Sequence, residues 1–190
     1  MEIREILVHL DIDQFSPALV DCAVDLAHRF KAALVGHSAA EPATIGAGYD
    51  GAAAVAVYYE HEQRAIESRL EDLERQFRSA VPSDIQVTWR GRTAQPNASA
   101  AMTARCADLI VTGSNFGARN PNPQRSIDTG ELLVKAGRPV LIAGMGLERI
   151  AADTVIVGWK DSREARRAVV DALPFLKTAK QVTVATIHEG

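Results

Sequence analysis

The chain has 190 residues, 47% of them apolar and 24% charged, with a net charge of −3. That is an ordinary globular balance, long enough for one full domain and part of another. The charge gives no electrostatic basis for holding nucleic acid or an anionic membrane, and no apolar run approaches the roughly 20 residues that span a bilayer.

The amino-terminal MEIREILVHLD mixes acidic and basic residues and enters a strand directly. This is not the pattern of a signal peptide, and the expected location is the cytoplasm. Cys22 and Cys106 both fall on apolar helical faces. They are expected to be buried free thiols in a reducing compartment.

Ile6 to Leu10 is an almost continuous apolar run, as in a strand buried on both faces of a parallel sheet. Asp11 ends it. Ser16-Pro17 starts a helix, a cap followed by proline at the first helical position, and Leu19, Cys22, Ala23, Leu26 and Phe30 follow at helical spacing. Ala33 to His37 is the next strand. Residues 39–56 are rich in Ala and Gly and read as a long loop. Val57 to Ala80 is a helix with Ile66, Leu70, Leu73 and Phe77 in one stripe. Glu71/Arg75 and Glu74/Arg78 are its expected i,i+4 pairs. Ile85, Val87 and Trp89 alternate as in a strand, and Asn97 is placed to cap a short helix running to Cys106.

The stretch from Ala107 to Gly146 is the most informative. Leu109-Ile110-Val111 has strand length, and Gly113 and Gly117 follow at once. Asp128 caps a helix carrying Leu132, Leu133 and Ala136, and Gly137 stops it. Pro139 opens the last strand, Val140-Leu141-Ile142. The order gives five strands and four helices by residue 143. It predicts an open, mainly parallel α/β sheet with helices on both faces, a Rossmann-like doubly wound architecture. A loop leaving the carboxyl end of such a strand is where ligands bind, and its N–H groups can cradle a phosphate.

Val155 to Leu173 repeats Ile6 to Ala27: an apolar strand, a polar turn with serine, then a helix, with Ser162 opposite Ser16 and Asp171 opposite Asp25. Gln181 to Ile187 then mirrors the second strand. The expected organisation is a full domain over 1–146, a linker over 147–152, and over 153–190 the first βαβ unit of an incomplete second copy.

The ILVHLD strand with its acid, the ADLIVTGS strand with its glycine loop and the terminal GRPVLIA strand together resemble the universal stress protein family in its tandem two-domain form. The resemblance implies an adenine-nucleotide alpha hydrolase-like fold, dimerisation or intrachain domain pairing through the 139–143 strand, and a stress-response role without catalysis. Some members bind ATP and others do not. The contact set it implies here is Asp11 on the ribose or adenine side, Ser38 near the adenine, and Gly113, Ser114, Gly117 and Ser126 about the phosphates.

The chain departs from the ATP-binding pattern, which has Gly, two residues, Gly, nine residues, then Gly with Ser or Thr. Gly113 and Gly117 are separated by three residues, Ser126-Ile127 stands at the final pair, and Pro121 and Pro123 lie within the loop. Proline offers no N–H to a phosphate, and Ile127 offers no hydroxyl.

Other readings stand beside these. Asp11 holds a ligand or caps its own loop. Gly113 and Gly117 approach a phosphate or supply positive φ. Arg119 and Arg125 grip phosphates or are solvated loop residues. His9 and His37 lack metal-ligand spacing and read as satisfied core or strand-end histidines, while His28 and His61 read as helix-surface residues. Lys160 takes the place of the acid in the second copy. No nucleophile-elbow, P-loop or Cys-x-x-Cys motif occurs. The functional expectation is therefore a non-enzymatic stress-response protein acting through dimerisation and weak adenine-nucleotide binding. The alternatives are an ATP sensor with an atypical phosphate loop, and an adenine-nucleotide-dependent enzyme or electron-transfer subunit of similar fold.

Overall fold

The computed structural model describes residues 2–43, 52–114 and 122–186. Among them, β1 (Glu5–His9), α1 (Pro17–Phe30), β2 (Ala33–Ala40), α2 (Ala52–Ala80), β3 (Val87–Thr93), α3 (Pro96–Thr103), β4 (Leu109–Gly113), α4 (Thr129–Ala136) and β5 (Val140–Ala143) alternate along the chain. The strands form one sheet in the order β3-β2-β1-β4-β5, and every adjacent pair is parallel. The doubly wound α/β architecture expected from the alternation is the one observed.

Strand alternation divides the core between two faces. Ile6, Val8, Leu34, Leu109 and Val111 pack with Leu19, Cys22, Ala23 and Leu26 of α1. Leu7, Val35 and Ile110 pack on the other face with Ala100 of α3 and with Leu132 and Ala136 of α4. The central strands carry apolar residues at successive positions because both faces are covered. Under α2, Gly36 of β2 leaves room for two rings: a Cβ there would lie 2.5 Å from Phe77 and 2.6 Å from Trp89. The glycine is required by that close approach.

The helix boundaries follow their capping chemistry. Ser16 Oγ accepts from Leu19 N at 3.3 Å with Pro17 in the first turn. Asp128 accepts from Glu131 N at 2.7 Å, and Gly137 ends α4 at φ 60°. Other expectations are corrected. Gln95, not Asn97, caps α3, accepting from Ala98 N at 2.6 Å, because Pro96 already occupies the first turn. Asn97 is instead buried, donating to Glu131 and accepting from Asp128 N, and so ties α3 to α4. The segment read as a loop over 39–56 is shorter: β2 runs through Ala40 and α2 already begins at Ala52, with 44–51 outside the described residues. Arg78 pairs with Glu74 as expected, but Arg75 pairs with Asp72 rather than Glu71. Cys22 is buried, whereas Cys106 is exposed, because the chain leaves α3 through a 3-10 turn, Ala104–Cys106, that turns its side chain outward.

Beyond β5, β6 (Thr154–Trp159), α5 (Arg163–Leu176) and β7 (Gln181–Thr186) form a separate parallel pair with its crossover helix. Ser162 caps α5 through Ala165 N at 3.2 Å, as its counterpart Ser16 caps α1. This unit does not extend the five-stranded sheet. This unit and the 149–151 segment before it both contact α1. Phe175 meets Phe30 edge-on with ring centroids 5.4 Å apart. Arg29 donates to Ile150 O at 3.1 Å and Ala151 O at 3.2 Å, and Arg149 pairs with Asp25 at 3.2 Å. β7 is exposed along its whole length and α5 buries no residue fully. Ile187 lies outside the described residues.

Candidate functional site

β1 is central because its crossovers diverge: α1 carries the chain to β2 on one side, while β4 lies on the other. The two strands part at their carboxyl ends, and a crevice opens at such a switch point. Here it is a cleft of about 260 Å³. His9, Leu10 and Asp11 from the end of β1, Thr112, Gly113 and Ser114 from the end of β4, and Ala143 to Gly146 from the end of β5 form its walls. Ser16 and Leu19 at the start of α1 close one side and Ile127 the other.

Asp11 lies in this wall and also caps its own loop. Its Oδ1 accepts from Asp13 N at 2.8 Å and Gln14 N at 3.2 Å. Both readings of the residue therefore apply to one side chain. Burial raises the pKa of the Asp11 carboxyl above its ordinary value, against the lowering effect of those backbone bonds. An ionised carboxylate held against desolvation is a group on which a hydrogen-bond donor from a ligand would have a large effect.

Gly113 lines the cleft without positive φ, since the glycines with φ above zero among the described residues are Gly137 and Gly146. A Cβ at Gly113 would meet only Leu19 Cδ2, at 4.0 Å. Ser114 also lines the cleft, and its backbone N donates to Ala143 O at 2.9 Å. Ser126 is not in the wall: its hydroxyl donates to Asn122 O at 2.9 Å, within its own turn, and Ile127 faces the cleft instead. Ser38 is not in the wall either. Alternation along β2 turns it to the face opposite His37, wholly buried, with no hydrogen-bond partner for its hydroxyl among the described residues. Gly117, Arg119 and Pro121 lie outside the described residues.

Arg125 grips Asp13 with two nitrogens, Nε to Oδ2 at 2.9 Å and Nη2 to Oδ1 at 2.5 Å. The bond holds the Asp13 carboxyl below, and the Arg125 guanidinium above, their ordinary values. With Glu41 N donating to Gln124 O at 2.8 Å, the pair ties the 122–127 segment across the carboxyl ends of β1 and β2. Arg125 is thereby neither a solvated loop residue nor turned to the cleft.

His9 and His37 are the buried polar residues that bear most on the site. They stand in register on β1 and β2, with their Nδ1 atoms 3.1 Å apart and His37 Nε2 2.9 Å from Ser99 Oγ. Burial lowers the pKa of His9 to about 4. It also lowers that of His37, helped by His9 and Arg92. Both are satisfied residues, as the spacing suggested, but His9 also lines the cleft, as does the buried Thr112 beside it. Neither His9 nor Thr112 was in the expected contact set. The available signal was alternation: His9 and Asp11 lie two residues apart at a strand end. Among the described residues no group of three or more His, Cys, Asp or Glu is placed to hold a metal ion.

No protein-family model and no curated protein matches the sequence. Solved structures do share the fold. A universal stress protein in complex with cAMP is 18% identical, with 76% of this chain and 98% of that one covered and a TM-score of 0.51. Universal stress protein UspA from Lactobacillus plantarum is 21% identical, with 75% and 98% covered and a TM-score of 0.56. A universal stress protein from Archaeoglobus fulgidus is 15% identical, with 98% of this chain but 66% of that one covered and a TM-score of 0.62. At these identities the likeness is one of fold: the chain has the universal stress protein fold.

Proposed function

We propose that this protein is a universal stress protein-like stress-response protein that acts by binding rather than catalysis. Its ligand would be an adenine nucleotide held weakly in the cleft between β1 and β4. The observation that carries the reading is Asp11, which stands in the wall of a crevice at the switch point of the sheet. The cAMP held by one structural neighbour supports the choice of ligand. Asp11, Gly113 and Ser114 are the contacts retained from the expected set. Ser38 and Ser126 are set aside because one is buried under α2 and the other is bonded within its turn. Gly117 stays in the proposal as a residue of the glycine loop.

Triphosphate binding should be poor. Ile127 brings a methyl surface where a hydroxyl would bind phosphate, and Pro121 and Pro123 withdraw two N–H groups from the loop. Lost bonds to a charged group are worth about 1.5–3 kcal/mol each, so two would weaken binding by a factor on the order of 10² to 10⁴. Isothermal titration with AMP and ATP tests this. Measurable AMP binding that is lost in Asp11→Ala supports the proposal. Low-micromolar ATP affinity, lost in the same variant, favours the ATP-sensor reading instead. No binding of either nucleotide at millimolar concentration removes nucleotide binding from the function.

We also propose a homodimer, or pairing between the two halves of a tandem chain, through the 139–143 strand. β5 lies at the sheet edge, with Ile142 exposed and with Leu133 and Val134 of α4 exposed beside it in sequence. Residues 147–152 are then a linker and 153–190 the first βαβ unit of a second copy. Its longer neighbour from Archaeoglobus fulgidus, matched over 98% of this chain, supports that division. Light scattering on Leu141→Asp should report monomer or insoluble protein, since Leu141 also packs against the core, and an unchanged dimer would exclude this interface. The proposed location is the cytoplasm; among the described residues no helix is long and apolar enough to cross a membrane.

A further inference from the structure

The histidine pair carries an inference beyond that reading, although it rests on the cleft being the ligand site. A neutral imidazole has one N–H and one bare nitrogen. Two Nδ1 atoms 3.1 Å apart must therefore differ: one donates and the other accepts. If His37 donates from Nδ1, its bare Nε2 accepts from the Ser99 hydroxyl 2.9 Å away, and His9 carries its proton on Nε2. If His9 donates from Nδ1, His37 donates from Nε2 to Ser99, and His9 Nε2 is bare. The serine hydroxyl can serve in either direction, so both arrangements are satisfied.

The free end of this chain of bonds has a direction. His9 sits between β2 and β4, in register with His37 on one side and Thr112 on the other. Its Nδ1 is turned to His37 on β2, and the two nitrogens of an imidazole point to roughly opposite sides of the ring. Nε2 is thus turned toward β4, where His9 and Thr112 both line the cleft. Both residues are almost wholly buried, at 4% and 3% exposure, and both stand in the cleft wall.

We infer that His9 Nε2 is a ligand contact, which the Ser99–His37 chain lets switch between donor and acceptor, and that it binds a neutral donor–acceptor group of a nucleoside, a sugar hydroxyl being the fit. Two features point to the class of group. His9 is uncharged at neutral pH because burial holds its pKa near 4, so it offers no cation to a phosphate. Asp11, two residues on and in the same wall, can only accept when ionised. A hydroxyl that donates to Asp11 is served by a neighbour able to donate or accept, and His9 is that neighbour.

The test is nitrogen NMR of the wild-type protein with labelled histidine, titrated separately with AMP, adenosine and inorganic phosphate. The Nε2 shift distinguishes a protonated from a bare nitrogen. The expected result is that AMP and adenosine both move His9 Nε2, while phosphate leaves it in place. The variant His9→Phe should weaken AMP about tenfold or more, the effect of leaving one ligand group unpaired in a buried site, and His9→Gln should recover most of the loss. If AMP moves the amides of Thr112 and Ser114 but not His9 Nε2, the inference fails and the nucleotide reading stands. A shift caused by phosphate alone overturns the neutral-group assignment. If neither AMP nor adenosine moves any cleft resonance, both readings fail together.

Discussion

Substituting Asp11 separates its two roles, because asparagine and alanine remove different parts of it. The carboxylate accepts two backbone hydrogen bonds through one oxygen, and an asparagine carbonyl can accept the same two. Alanine can accept neither, and losing a side-chain cap of this kind costs about 0.5–2 kcal/mol. For a chain of this size that lowers Tm by roughly 1–8 °C at about 2–4 °C per kcal/mol. The charge acts in the opposite direction. The folded-state pKa of Asp11 is raised, with burial the leading cause, so folding favours the protonated form. The resulting penalty on the ionised form is absent well below the ordinary carboxylate range. It sets in as pH rises through the unfolded-state value and is complete above the raised folded-state value. Asp11→Asn should therefore be as stable as wild type or more so at pH 7, with the advantage vanishing at low pH, while binding no nucleotide. Thermal unfolding of the three proteins from acid to neutral pH reads this out. If asparagine destabilises as much as alanine at pH 7, the charge itself supports the fold, and Asp11 is a structural residue rather than one held at a cost for a ligand.

Protonation of the buried histidines should limit stability in acid. Because the folded pKa of His9 is lowered to about 4 and that of His37 is lowered too, stability should fall as pH drops from about 6.5 toward 4, by up to about 1.4 kcal/mol per pH unit for each histidine. A double variant His9→Phe, His37→Phe that keeps the same acid slope in urea unfolding would contradict this. The tail should depend on its contact with α1. Phe175→Ala should speed hydrogen exchange in β6 and β7 while leaving β1 and β4 protected, and a chain cut after Gly146 should still unfold cooperatively; failure of the 1–146 piece to fold would place the tail within the first domain.

The fold was legible where each local signal had one meaning. Ser16-Pro17, Asp128 and Gly137 mark helix ends by chemistry that does not depend on distant residues, and the structure places caps and a left-handed stop at those positions. Signals with two candidate partners were less decisive. Asn97 has the side chain of a cap, but Pro96 before it fixes the first turn and moves the cap to Gln95. Arg75 had Glu71 one turn back and Asp72 three residues back, and the structure shows the nearer pair. Helical periodicity buries Cys106, but that periodicity fails where the chain tightens into a 3-10 turn.

The site was less legible because a cleft at a switch point is assembled from strands distant in sequence. Asp11, Gly113 and Ser114 follow directly from strand ends, and all three meet in the cleft. Ser38 does not, and the reason is register. β2 pairs His37 with His9, which turns His37 to the face shared with α3 and its neighbour Ser38 to the face under α2. One residue along the strand thus decides which polar side chain serves the site, and nothing local to the second strand determines that choice. His9 has the complementary history. Read alone it is a satisfied core histidine; read across three strands, with His37 on one side and Thr112 on the other, it is the end of a hydrogen-bond chain that opens into the cleft. Asp11 and His9 thus supply unlike capacities to one wall, a carboxylate whose ionised form burial disfavours and a neutral group of reversible polarity. A ligand that exploits both must carry hydroxyl-like groups near any charge it bears, and an anion alone cannot.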